Sequence, residues 1–137
     1  MVILFDRFNL PENVFEIIFS TSQQMIVAKE LIKYMIDNKG EITKTGMSLF
    51  ATQLHEGEYE SILDIAPYKG KTVKLSYNKR QFYDRILTPM KSMGLIEFDL
   101  YKKTYRLSTK FSVDVMKVGL LWKQELKKLG APQNVFN

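Results

Sequence analysis

Asn78-Lys79-Arg80-Gln81-Phe82-Tyr83-Asp84-Arg85-Ile86-Leu87-Thr88-Pro89-Met90-Lys91-Ser92-Met93-Gly94-Leu95-Ile96-Glu97 is the stretch that decides how this chain folds. Asn78 is a strong helix N-cap residue, with Gln81 at the reciprocal capping position. Phe82, Ile86, Met90 and Met93 then recur at spacings of four, four and three, flanked by Tyr83 and Leu87, so one face of this helix is apolar. The opposite face presents Lys79, Arg80, Asp84, Thr88 and Lys91. Pro89 lies inside the pattern, lacks an amide donor, and is expected to kink or loosen the turn before it. Gly94 stops the helix. Leu95-Ile96-Glu97-Phe98 and Tyr105-Arg106-Leu107 follow as two short strands around Asp99 to Thr104, which predicts a hairpin.

Working back toward the N-terminus, Thr72 to Tyr77 alternates apolar and polar residues like a strand, and Tyr68-Lys69-Gly70-Lys71 reads as a turn before it. His55 to Tyr68 is acidic and irregular. Lys44 to Leu54 predicts a helix burying Met47, Phe50, Ala51 and Leu54, weakened by Gly46. Glu41-Ile42-Thr43 is short enough for a small bridge. Before it, Thr21 and Gln24 form a capping box for a helix whose stripe is Ala28, Leu31, Ile32, Met35 and Ile36, ended by Asn38-Lys39-Gly40 with Gly40 in a left-handed terminal position. Glu12 to Phe19, with Pro11 near its first turn, reads either as a short helix or as a buried strand.

Toward the C-terminus, a helix from Ser112 to about Leu129 carries Phe111, Val115, Val118, Trp122, Leu126 and Leu129 on one face, broadened by Leu121, and ends at Gly130-Ala131-Pro132. That stripe is wider than one small domain needs. Gln133 to Asn137 is expected to be a loose tail.

The order helix, short strand, helix, helix, hairpin, helix, with a helix ending at a Gly94-Leu95-Ile96 step that opens into a strand, resembles the winged helix-turn-helix DNA-binding superfamily, including archaeal-type winged-helix transcription regulators. The likeness covers roughly residues 22–108 and is a superfamily-level pattern. It implies an α+β, mostly helical fold. One domain, 1–137, would comprise a winged-helix core, an extra N-terminal segment and a C-terminal helix at 112–129. It also implies that Asn78 to Ser92 is a recognition helix, that Asp99 to Arg106 is the wing, and that the last helix makes a homodimer through Val115, Val118, Trp122 and Leu126. Two-fold symmetry would match a palindromic site. One departure stands out: 23 residues, His55 to Tyr77, separate the second and third helices where a short turn is usual. Either the second helix lies elsewhere, or the fold carries an inserted strand or loop.

Charge points the same way. Residues 69–110 hold eleven basic and three acidic side chains, a net +8, whereas residues 1–68 carry −5 and the tail from Phe111 carries +2. Such sorting attracts a polyanion, and each phosphate neutralised releases counterions. The candidate DNA-binding residues are Lys79, Arg80, Gln81, Asp84, Thr88, Lys91, Lys102, Lys103, Arg106 and Lys74. Lys79 and Arg80 lie in the first helical turn, where the helix dipole also favours phosphate. Arg80 suits a guanine and Gln81 an adenine, whereas Lys102 and Lys103 tip the wing. Arg85 lies on the flank of the buried stripe.

Other classes find little support. The chain has no cysteine and one histidine, so thiol chemistry is excluded and neither a histidine-based metal site nor a nucleophilic triad can be assembled. Lys69-Gly70-Lys71-Thr72 lacks the upstream glycine of a P-loop. Glu56, Glu58, Glu60 and Asp64 match no calcium loop and read as a solvated acidic segment. Met1 to Phe5 is too short for a signal peptide, and no apolar run spans a bilayer. The expectation is therefore a non-enzymatic, cytoplasmic, nucleoid-associated regulator without cofactor, metal or membrane, binding double-stranded DNA as a homodimer. Its rival is a winged helix serving as a protein-interaction module in a transcription, replication or chromosome-organising assembly.

Overall fold

The computed structural model describes residues 6–62 and 70–137. The apolar opening at 1–5, Asp64, and the Tyr68 and Lys69 half of the proposed turn lie outside them. Helix α1 (Val14–Ile18) starts from Asn13, whose side-chain oxygen accepts the Phe15 N–H at 2.8 Å. Of the two options for this segment it takes the helix, beginning two residues later than Glu12 because Asn13, not Pro11, supplies the cap. Helix α2 (Ser22–Asp37) is capped by Thr21, which accepts the Gln24 N–H at 3.1 Å. Ala28, Leu31 and Met35 are buried as the spacing requires, joined by Val27, whereas Ile36 at the end of the stripe is 59% exposed. The helix closes with paired bonds from Lys39 N–H to Ile36 C=O and from Gly40 N–H to Met35 C=O. That pattern puts Lys39 (φ 64°), as well as Gly40, in left-handed backbone.

Strand β1 (Glu41–Thr43) runs directly into α3 (Lys44–His55), where the Thr43 hydroxyl accepts the Gly46 N–H at 2.9 Å. The four apolar residues expected inside α3 are all fully buried. Part of the next segment, expected to be irregular, is a strand. Strand β2 (Tyr59–Ile62) pairs antiparallel with β3 (Thr72–Leu75), Tyr59 opposite Leu75 and Glu60 opposite Lys74, as a separate two-stranded sheet. Its acidity disguised it, because both strands keep their charged residues in solvent.

The helix at 79–92 is built in three parts: α4 (Lys79–Gln81), a π-helical turn (Phe82–Leu87) and α5 (Thr88–Ser92). Asn78 caps it by accepting the Gln81 N–H at 3.0 Å. The π turn is the loosening expected from Pro89. Proline offers no N–H to the Arg85 carbonyl, and the Thr88 N–H bonds five residues back, to Tyr83 C=O. The extra residue lets Phe82, Ile86, Leu87 and Met90 all be buried. Gly94 (φ 82°) ends the helix, with bonds from Gly94 N–H to Lys91 C=O and from Leu95 N–H to Met90 C=O.

Strands β4 (Ile96–Asp99) and β5 (Thr104–Leu107) form the hairpin, each differing by one residue from its expected start, and β5 also pairs with β1. The three-stranded antiparallel sheet therefore has the order β1-β5-β4. The chain is α+β, and one core joins Phe19, α2, α3, the 79–92 helix, Ile96 and Tyr105. At its centre Phe50 meets the rings of Tyr34, Tyr59 and Phe82 at centroid distances of 5.2, 4.9 and 5.5 Å. Among the described residues one carboxylate is buried there, Glu30, which accepts from the Ser61 hydroxyl at 2.5 Å and pairs with Lys33 at 3.3 Å. Helix α6 (Lys110–Lys128) buries no residue, and Trp122 is 65% exposed, so Trp122 is not intramolecular core. The tail is ordered into a 3-10 turn (Gln133–Phe136) beyond Gly130, not loose.

Candidate nucleic-acid interface

The excursion between α3 and the 79–92 helix is tied off at its base. Glu58 N–H bonds to Gln53 C=O, Tyr77 N–H to Leu54 C=O, and Lys79 N–H to His55 Nδ1 at 3.1 Å. The Lys79 ammonium adds bonds to the Thr52 and Ser48 hydroxyls at 3.0 and 3.3 Å. Both ends of the inserted excursion are thus bonded to the C-terminal half of α3. The lone histidine has a structural part here, as an acceptor at the start of that helix, a part invisible in its spacing.

The candidate residues fall into distinct settings. Arg80, Gln81, Asp84 and Thr88 are exposed on the 79–92 helix. Arg80 is 91% exposed and reaches Asp84 at 3.8 Å one turn on, an exposed pair that costs little to open. Lys79 is half-buried against α3 and directs its charge to hydroxyls, not outward. The Lys91 ammonium lies 5.8 Å from the centroids of both Phe98 and Tyr105, whose rings meet edge to face at 4.6 Å. It therefore links the helix to the hairpin. Burial, and Tyr83 beside it, push the Tyr105 phenol up from its ordinary range, so this ring stays neutral under the lysine.

The hairpin turn is stiff. Asp99 Oδ1 accepts the N–H groups of Tyr101 and Lys102 at 2.9 and 3.1 Å, and these bonds, from Lys102 first, hold its carboxyl below the usual range. Lys103 sits in left-handed backbone (φ 52°), and its carbonyl accepts the Lys44 N–H at 3.0 Å, fixing the tip against the start of α3. Lys102 and Lys103 project into solvent. Beside them Leu100 and Tyr101 are 80% and 99% exposed. Two such side chains on a rigid, basic tip escape a search based on charge; the Asp99 turn is the signal that could have exposed them.

Two further candidates are partly neutralised. Arg106 bonds Glu97 at 3.0 Å, and Lys110 bonds the same carboxylate. The hydrogen bond from Lys110, and then that from Arg106, hold the Glu97 carboxyl below the usual range. Lys74 lies on the separate β2–β3 sheet, 3.9 Å from Glu60. The structure therefore brings together Arg80, Gln81, Thr88 and Lys91 on one helix, with Lys102 and Lys103 on a tip fixed to α3. It sets Lys74 apart. The outer side of α3 was missed: Lys44, Thr45, Ser48, Leu49 and Thr52 line an open depression beside the Lys79 ammonium. Thr45, Ser48 and Thr52 stand at spacings of three and four, opposite the buried stripe, and hydroxyls at that spacing suit phosphate oxygens.

Among the described residues, no three His, Cys, Asp or Glu side chains are grouped to hold a metal ion, and no helix is long and apolar enough to cross a membrane. Neither a protein-family model, nor a curated protein, nor a solved structure matches the chain.

Proposed function

We propose that this chain is a winged helix-turn-helix domain that binds double-stranded DNA, in the cytoplasm and with sequence preference, and regulates transcription by occupying a promoter or operator. The observation that carries this reading is where the sorted charge is displayed. Residues 79–107, with seven of the eleven basic side chains of the +8 segment, form the 79–92 helix and the β4–β5 hairpin, and Arg80, Lys102 and Lys103 stand exposed on the outer face of one and the tip of the other. The strand order β1-β5-β4 with α2, α3 and the 79–92 helix supports the winged arrangement. The bonds at Lys79 support a working helix-turn-helix in spite of the insertion. In this reading Arg80, Gln81 and Thr88 face the major groove, while Lys102 and Lys103 neutralise phosphate. Lys91 and Lys79 hold the reading surfaces in place. Arg106 and Lys74 contribute field more than contact, because carboxylates already stand beside them.

The test is fluorescence anisotropy against random-sequence duplex at several salt concentrations. Binding is expected whose log affinity falls linearly with log salt. Arg80→Ala should weaken it, and Lys102→Ala with Lys103→Ala should reduce the slope by about 2, at roughly 0.9 for each phosphate no longer neutralised. Folded protein that binds no duplex at low salt overturns the proposal. The rival use, as a protein-interaction module, is favoured by one observation, the exposed apolar face of α6. It would show as loss of a partner on change at Trp122 with no duplex binding by the parent.

A further inference from the structure

Helix α6 presents a problem that the isolated chain does not solve. Its 19 residues include none that is buried, yet Phe111, Val115, Val118, Trp122, Leu126 and the flanking Leu129 fall within about a quarter of the helix circumference at 100° per residue. Trp122, Leu121, Val118 and Val115 are each at least half exposed. A contiguous apolar strip with a tryptophan near its middle marks an interface. Gly119 is the second anomaly. Glycine is among the weakest helix formers, and a Cβ at this position would meet nothing within 4 Å in its own chain. Nothing inside the chain requires a glycine there.

We propose that α6 pairs with α6 of a second copy, antiparallel, about a two-fold axis near residue 120. Charge and size complementarity select this occupant and this direction. With the axis at 120, Val118 meets Trp122 of the second copy, Phe111 meets its Leu129, and Val115 meets its Leu126. On one flank of the seam Asp114 falls opposite Lys128 of the second copy, and Leu121 opposite itself. On the other flank Gly119 falls opposite Gly119, where two backbones approach most closely and a side chain would hold them apart. A parallel pair instead sets Asp114 beside Asp114 and gathers Lys123, Lys127 and Lys128 of both copies at one end. It also aligns the two helix dipoles. The shorter apolar set on the far side, Val113, Met116 and Leu120, lies among Lys117, Lys123 and Lys127, and the pairing does not use it.

Antiparallel pairing separates the two folded bodies. Residue 110 of one copy and of the other stand 20 helical residues apart, about 30 Å at 1.5 Å per residue. That is close to one turn of duplex DNA, the spacing at which a two-fold protein meets two half-sites. The match of spacing rests on the DNA-binding proposal; the pairing does not.

The experiment is sedimentation equilibrium of the full chain at tens of micromolar, followed by cysteine cross-linking, which is clean because the chain has no cysteine. A dimer is expected, with Trp122→Ala raising its dissociation constant at least about thirty-fold and Gly119→Leu also weakening it, while Met116→Ser leaves it intact. None of these side chains is in the core, so the far-ultraviolet circular dichroism should be unchanged. Under mild oxidation Leu121→Cys should link to itself. Asp114→Cys and Lys128→Cys should each stay unlinked alone and link when mixed. A monomer at these concentrations, loss of the dimer by Met116→Ser but not by Trp122→Ala, or self-linking of Asp114→Cys overturns the inference. A dimer with this cross-linking pattern that binds no duplex leaves the pairing standing and removes the DNA reading instead.

Discussion

Tyr59 shows how much a single side chain can depend on a neighbourhood that its own segment does not announce. It stands on β2 with its ring edge-on to Phe50, and burial, then the nearby Glu30, Asp37 and Tyr34, push its phenol up to about 12 from 10.0. A group whose pKa is higher folded than unfolded stabilises the fold fully below its unfolded value, and that contribution is lost as pH rises through the folded value. Between pH 10 and 12 the protein should therefore lose stability through Tyr59, and Tyr59→Phe should lose less over the same interval. Chemical denaturation at pH 8 and 11, with phenolate absorbance followed in parallel, measures the difference. Equal losses in both proteins would refute it. The sequence could not have flagged this residue, since Tyr59 lies in a run of glutamates. The buried Glu30 was equally hidden, because its partner Ser61 is 31 positions away. By contrast, Asn78, Thr21 and Phe82 were legible, because capping and helical spacing act over three or four residues.

At the scale of elements, Gly94 is the tightest joint. Its φ of 82° disfavours any L side chain, and a Cβ there would meet the Phe111 backbone nitrogen at 3.0 Å. Gly40, also at φ 82°, would meet nothing within 4 Å. Gly94→Ala should cost about 1 kcal/mol for the backbone conformation and a further 1–2 kcal/mol for the backbone contact, whereas Gly40→Ala should cost only about the first of these. Urea denaturation of the two variants checks the order, which would be wrong if Gly40→Ala were the more damaging. Elements whose reason is local were readable from sequence: α2, α3, the 79–92 helix and both its ends, even the loosened turn before Pro89. The β2 strand was not, because Tyr59-Glu60-Ser61-Ile62 sits in an acidic run and does not alternate, although its partner β3 does. The position of α6 off the core was unreadable for another reason: an apolar stripe looks the same whether its partner is its own domain or another copy.

For the whole molecule, the cations divide into those that hold the fold and those free to meet a partner. Lys79 is of the first kind, with its ammonium on Thr52 and Ser48; Lys102 and Lys103 are of the second. Lys79→Met should lower stability by about 1 kcal/mol, while Lys102→Ala with Lys103→Ala should change it by less than about 0.5 kcal/mol. Thermal melts of both variants decide this, and equal effects would show that charge sign alone, not placement, governs these lysines. The sorted charge was visible in the sequence, but its division was not, since a lysine's partner depends on elements 27 and 31 residues away.

The junction at Gly94 has a mechanical meaning as well. Phe111 N–H bonds to Gly94 C=O at 3.1 Å and Ser108 N–H to Leu95 C=O at 3.0 Å, so α6 departs directly from the end of the 79–92 helix. Over its 19 residues α6 is a lever arm about 28 Å long. A change of about 10° at the fulcrum swings its far end by about 5 Å, roughly the rise of one helical turn. Gly94 is therefore held to an angular tolerance, and the free end of α6 magnifies any distortion at that joint.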